Sequence, residues 1–242
     1  MRRGVPLLLA LAVLGGCRGE SPRLRSLPQR MLWAWESPQD LRFLSHGEGV
    51  AFLAGELHLE AAGAQWRPRR NPLKVPPGTP LLAVIRVEAQ GPPGTGQIQA
   101  LVDQARACVA LPGVRGLQID FDATLSQRPW YAEALRAVRT ALPEATPLSI
   151  TALASWCWGD PWIRGLPVDE AVPMLFRMSA DEGVIRARLA QGKDVTVPQA
   201  AHSWGVSTDE PLPRLRPGRR IYVFHPGAWT ESAWTRFQER LT

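Results

Sequence analysis

Two aspartates two residues apart, Asp120 and Asp122, close the run Arg115-Gly116-Leu117-Gln118-Ile119-Asp120-Phe121-Asp122. In a strand, alternate side chains share a face, so both carboxylates point one way and Phe121 the other. Two anions so close repel, which raises the proton affinity of one and suits it to donate a proton near neutral pH. Asp122 is the candidate general acid and Asp120 its partner. Reading the ends of the other apolar runs adds Trp35 and Glu36, Arg86 and Glu88, Ser155 and Trp156, Arg177, and His225. Glu88 or Glu36 is the candidate second carboxylate, at ~5 Å from the acid for a retaining glycosidase or ~6.5–9.5 Å for an inverting one. Arg86 and Arg177 are placed to reach in and offset the rise in proton affinity.

These residues need a scaffold that brings strand ends together. Short apolar runs recur at 31–35, 50–54, 81–87, 114–121, 148–153, 171–176, 195–197 and 221–224, most of them rich in Val, Ile or Leu on both faces. Parallel strands covered on both sides read this way. Between them lie helical stripes. Residues 96–111 place Ile98, Leu101, Val102 and Ala105 on one face before Pro112-Gly113, and residues 129–142 repeat the pattern before Pro143. Residues 180–191 and 229–241 predict two more helices. Eight strands alternating with helices predict an α/β fold, a closed (β/α)8 TIM-type barrel whose site is built at the C-terminal strand ends. The units at 36–44 and 57–73 have weak helices, so the barrel is expected to be irregular or partly open there. A doubly wound sheet is the alternative, but no glycine-rich fingerprint follows the first strand.

Ten tryptophans stand against two tyrosines and six phenylalanines. Trp35, Trp156, Trp158, Trp162, Trp204 and Trp229 fall at or just after strand ends, where indole planes would stack on sugar C–H faces. Together with the charged strand ends they give a candidate substrate-binding set of Trp35, Glu36, Arg86, Trp156, Met174, Arg177, His225 and Trp229. Structural packing is the rival for each tryptophan.

The Asp120 segment resembles the fourth-strand motif Asp-Gly-x-Asp-x-Asp-x-Glu of family-18 chitinase-like glycoside hydrolases. Gly116 matches its glycine, Asp120 its last aspartate, and Asp122 takes the position of the acid glutamate. Arg115 and Gln118 stand where the motif has its first two aspartates, and Asp122 is one methylene shorter than glutamate. Asp169 to Arg177 resembles the sixth strand of those barrels, with Met174 in its Met-x-Tyr pair and Phe176 in place of the tyrosine. The resemblance implies a substrate whose own N-acetyl group attacks the anomeric carbon, with Asp120 orienting that amide. The mature chain, notably 31–36, 118–124 and 149–158, also resembles domain-of-unknown-function family 3142 of bacterial proteins, which implies a fold and no reaction.

The N-terminus bears on location. Arg2 and Arg3 precede an apolar stretch from Val5 to Leu14 and then Leu14-Gly15-Gly16-Cys17. The stretch is about half of the ~20 residues a membrane-spanning helix needs, so it reads as a cleaved leader. The segment resembles the lipobox of bacterial lipoproteins, which implies cleavage before Cys17 and lipid on its sulfur. The expected organisation is a leader at 1–16, a lipidated tether at 17–30 and one barrel domain at 31–242, exported and held in the cell envelope. A glycan is the expected partner beside the membrane, with the oligomeric state open. Losing Arg2 and Arg3 reduces the formal charge of +6 to +4. The arginine cluster at 67–70 lacks helical spacing and interleaved aromatics, so no nucleic-acid partner is expected. No cofactor motif is present. A zinc site from Asp120, Asp122 and His225 or His202 lacks paired-histidine spacing, and Ser155 and Ser203 lack the nucleophile elbow. Cys108 and Cys157 are expected to stay unbonded, since one lies near the bottom of the fourth strand and the other near the top of the fifth. A non-catalytic glycan-binding lipoprotein and a purely structural envelope protein are the competing readings.

Overall fold

Eight parallel strands close into a barrel in the computed structural model, which describes residues 19–241. In chain order they are β1 (Arg30–Ala34), β2 (Glu48–Glu60), β3 (Leu81–Ala89), β4 (Val114–Asp120), β5 (Leu148–Leu153), β6 (Glu170–Met174), β7 (Ser203–Ser207) and β8 (Arg220–Phe224). β1 pairs in parallel with both β2 and β8, and these two ladders shut the ring. The expectation that the first units leave it partly open is therefore corrected. Those units are irregular in another sense, because no helix among the described residues covers them. Gln39–Asp40 pairs with Leu73–Lys74, and β2 runs on into an antiparallel hairpin with Gly63–Pro68. Residues 1–16, expected to be a leader, and Cys17 lie outside the described residues.

Helices follow β3, β4, β5, β6 and β8: α1 (Ile98–Val109), α2 (Arg128–Ala141), the single-turn α3 (Ala154–Trp158), α4 (Glu182–Ala190) and α5 (Glu231–Glu239). The apolar stripes read from the sequence face inward: Ile98, Leu101, Val102 and Ala105 of α1 are buried, as are Tyr131, Leu135 and Val138 of α2. They cover the outward side chains of the strands, such as Ile85, Ile119, Phe121, Ile150 and Val223. The seventh strand is not at 195–197. It is Ser203–Ser207, where only Trp204 and Val206 are large and apolar, while Ser203, Gly205 and Ser207 occupy the alternate positions.

The lumen explains that alternation. Its core is Leu24, Met31, Trp33, Ala51, Leu82, Val84, Val172 and Tyr222. Trp33 crosses the interior, and a Cβ on Gly205 would sit 3.0 Å from its ring and 3.1 Å from the Pro173 carbonyl. A side chain there has nowhere to go, because the barrel interior is a packed core. Gly205→Val is expected to cost roughly 1–3 kcal/mol by overpacking and to displace Trp33. Urea unfolding with Trp fluorescence reads both effects, and an unchanged midpoint would refute this account of the glycine.

Below Trp33 the lumen holds a connected polar network, with only the Ser203 hydroxyl of this region left without a partner among the described residues. The Trp33 indole donates to Gln118 Oε1 at 2.8 Å, and Gln118 Nε2 donates to Ser149 Oγ at 3.0 Å. Ser149 and Tyr222 hydroxyls donate to Glu170 Oε2 at 3.0 and 2.7 Å, and Arg220 Nη1 to Glu170 Oε1 at 2.7 Å. Arg220 also donates to the carbonyls of Pro28, Leu24 and Leu27 and to Glu20. Those last partners belong to the segment expected to be a tether. It is instead part of the fold: the 3-10 turn Pro22–Ser26 closes the N-terminal end of the barrel, with Leu24 fully buried in the lumen.

Cys108 and Cys157 are both free and buried, as expected. Burial pushes the Cys108 thiol up to about 12 and the Cys157 thiol higher still.

Candidate active site

A cavity of about 670 Å³ opens at the C-terminal ends of the strands, lined by residues from β1, β3, β4, β5, β6 and β8 and their loops. Two of its carboxylates come from the end of β4 and the residues just past it. Past Asp120 the chain stays extended to Asp122, where a tight turn bonds Ala123 N to the Phe121 carbonyl. Gln127 then fixes the loop by donating to the Ala89 and Gly91 carbonyls while accepting from Thr124 N. Phe121 points outward between Trp130 and Tyr131. With that ring anchored in the helix layer, Asp120 and Asp122 line the cavity together.

Asp120 is buried, accepts from Thr151 Oγ1 at 2.6 Å and pairs with Arg86 Nη1 at 3.1 Å. Its carboxyl is pushed up to about 6. Burial is the main cause, opposed by Arg86 and Thr151, and the Asp122 charge adds only a smaller rise. The mutual repulsion expected from the sequence is thus the lesser effect, and desolvation the greater. Asp122 is open to solvent, yet the cavity wall displaces part of its hydration and raises its carboxyl too. It accepts no hydrogen bond from another described residue, so its oxygens are available. Arg86 raises neither carboxyl; it limits the rise of both. The same guanidinium bonds Glu88 at 2.5 Å.

A carboxyl with a raised pKa binds its proton more tightly folded than unfolded. It contributes stability that is complete below about 4 and lost as pH rises through about 6. Folding stability carried by Asp120 should therefore fall across that window. Asp120→Asn should flatten the fall, as measured by urea midpoints at pH 4, 5, 6 and 7; an equal fall in the variant would assign it to other groups.

The candidate set divides on inspection. Asp120, Asp122, Trp35, Glu36, Arg86, Met174, Arg177 and His225 line the cavity. Glu88 stands behind Arg86 and is not part of the wall. Glu36 is tied down: burial alone would raise its carboxyl, but hydrogen bonds from Asn71 and Arg70 outweigh that and lower it. Trp156 and Trp229 do not reach the cavity. Trp156 packs edge-on to Trp162 in the helix layer. Trp229 donates to the Trp33 carbonyl at 2.8 Å and is buried against Trp234. Trp158 and Trp204 stack on each other in the outer core. His202 precedes β7, at the far end of the barrel from His225.

Other wall residues lie outside the candidate set. Trp33 forms part of the lining, Phe224 stacks at 5.4 Å on Phe176, which stands at the motif's tyrosine position, and Thr151 and Asp181 add polar groups beside the strand-end Ser155. Alternation in β1, β6 and β8 places Trp33, Phe176 and Phe224 on the inward side, a signal that was present but needs the strand direction to be used. The rim holds two non-glycine residues in the left-handed region, Arg177 and Ser179, both at φ 51°. That backbone costs free energy, and the Arg177 amide is held by Glu210 Oε1 at 2.9 Å while its guanidinium lies 4.8 Å over Phe224. Burial lowers the His225 pKa, with Asp209 opposing, and Nδ1 meets Thr208 Oγ1 at 2.6 Å.

The stretch from just before β3 to the end of α4 supplies Arg86, Asp120, Asp122, Thr151, Met174 and Arg177. Residues 77–191 match the model of the domain of unknown function DUF3142. No curated protein and no solved structure matches the chain. The DUF3142 segment, just under half of the chain, holds four of the eight strands and both cavity aspartates. It includes 118–124 and 149–158, two of the stretches that carried the resemblance; 31–36 lies outside it. The DUF3142 half cannot close the barrel alone. Trp33 from β1 and Trp35 just past it, with Phe224 and His225 from the end of β8, complete the cavity.

Proposed function

We propose that the cavity receives a glycan and that Asp122 protonates the departing glycosidic oxygen, in a lipoprotein held in the cell envelope by lipid on Cys17. The observation that carries the reading is the pair of carboxylates with raised proton affinity on the wall of an aromatic cavity. Trp33, Trp35, Phe176 and Phe224 offer planes for sugar C–H faces. The Trp35 indole N–H is buried without a partner among the described residues, a donor that an oxygen-rich ligand would satisfy. In the chitinase-like route, Asp122 gives its proton to the leaving oxygen as the substrate's N-acetyl oxygen bonds to the anomeric carbon, and Asp120 holds the amide nitrogen. Glu36 and Glu88 suit the two-carboxylate route less well, since each is already engaged. The test is release of reducing ends from N-acetylated and unmodified glycans, run beside a glycan-binding array. Neither release nor binding would end the proposal.

Binding without hydrolysis is the second reading. Arg86 favours it, because it ties Asp120 and Glu88 into one ion-paired group. Array binding with no release of reducing ends would select it.

The anchor has its own test. Among the described residues no helix is long and apolar enough to cross a membrane. Cys17→Ser is expected to abolish incorporation of labelled palmitate and to leave the chain unprocessed or in the soluble fraction. Label retained in that variant would refute the anchor.

A further inference from the structure

The N-terminal segment meets the barrel at the end opposite the cavity. Arg220 Nη2 donates to Glu20 at 2.8 Å, Leu24 and Leu27 are buried with the lumen side chains, and Arg23 pairs with Asp169 at 3.1 Å. Cys17 is three residues before Glu20. Three steps of extended chain reach at most ~11 Å. Whatever is bonded to Cys17 is therefore kept close to the base of the barrel.

That base has the charge of a surface for anions. Arg25, Arg30 and Arg115 are exposed there, and among the described residues none is bonded to a carboxylate. Most acids nearby are already paired: Asp169 with Arg23 and Arg139, Glu20 and Glu170 with Arg220, Asp194 with Arg216 and Arg219; Glu144 is exposed beside Arg23, so the three free arginines still outnumber it. Leu111, 43% exposed, adds an apolar contact at the turn into β4. The cavity end is mixed in charge, exposing Glu36 and Asp122 beside Arg177.

We propose that the base of the barrel, around Arg25, Arg30 and Arg115, rests on an anionic phospholipid surface, so that the cavity faces away from the membrane. This rests on the lipidation of Cys17 proposed above. Basic side chains beside an anchor add to membrane attachment and lose their effect with salt. A barrel strand of five to seven residues then lifts the cavity roughly 20 Å from the bilayer, toward glycan in the surrounding envelope.

The test uses the full lipidated chain in vesicles containing phosphatidylglycerol and a nitroxide-bearing lipid. Ser26→Cys at the base and Ser126→Cys beside the cavity each receive a fluorophore; Cys108 and Cys157 are buried and stay unlabelled. Strong quenching is expected at position 26 and little at 126. Arg25→Glu with Arg30→Glu and Arg115→Glu, or phosphatidylcholine vesicles, should reduce quenching at 26 by at least about twofold. Quenching at 126 equal to that at 26, or no response to the charge reversals, overturns the docking. Palmitate incorporation is measured on the same preparations. Acylated protein with the wrong quenching pattern refutes the orientation alone, whereas unacylated protein refutes the anchor first and the docking with it.

Discussion

Asp122→Asn should reduce glycan hydrolysis by roughly 10²–10⁴-fold, the contribution typical of a positioned general acid. Affinity should change little. The substitution is nearly isosteric, keeps a polar group at the cavity wall and removes only the titratable proton. Wild-type turnover should fall as pH rises through the raised pKa of Asp122, because the acid must be protonated to donate. Asp120 has a different role, orienting the substrate amide. It is held by Thr151 and Arg86, so Asp120→Asn should disturb substrate affinity and pH dependence together. Unchanged turnover in Asp122→Asn, measured as reducing ends released, would remove Asp122 from the mechanism and leave the binding reading.

Glu170→Ala should destabilise the fold by about 3–5 kcal/mol, because it strands the Arg220 charge in the lumen. Both side chains are almost wholly buried, at 0% and 1% exposed. For a domain of this size that corresponds to a fall in Tm of roughly 6–20 °C. A buried ion pair is often no more stable than an apolar replacement of similar volume. Here the double change Glu170→Met with Arg220→Met should not restore wild-type stability. Arg220 also serves Glu20 and the carbonyls of Leu24, Leu27 and Pro28, and these acceptors would lose their donor. The segment at 20–27 should then loosen, which proteolysis near Arg23 and Arg25 would detect. A double variant as stable as the wild type, with no new cleavage, would refute the view that this guanidinium pins the N-terminal segment.

The outward half of the molecule could be read directly. Strands covered on both faces show as apolar runs, and helices on a barrel show one apolar stripe; both patterns are local in sequence. Hence β1, β3 to β6, β8 and four helices were legible to within a few residues, and so was the shared face of Asp120 and Asp122, whereas β2 runs six residues past the run at 50–54, into a stretch expected to hold a weak helix. The seventh strand escaped because its inward positions are Ser203, Gly205 and Ser207, chosen to admit Trp33 from the other side of the barrel. Nothing within ten residues of Gly205 announces that indole.

Sequence by itself determined the strand and helix periodicities and the pair of carboxylates at the end of β4. Each of these follows from short-range geometry: the two-residue repeat of a strand, the 3.6-residue repeat of a helix. Only the tertiary structure decided which tryptophans line the cavity. Trp35 and Trp156 both stand at strand ends, but one faces the axis and the other the helices, a difference set by how each strand or turn is rotated. The same holds for the proton affinity of Asp120, since its rise depends on what covers it more than on its neighbour in sequence. It holds too for residues 20–27, polar enough to read as a tether until Arg220 of the last strand, two hundred residues on from Glu20, supplies the partners that fix them in place.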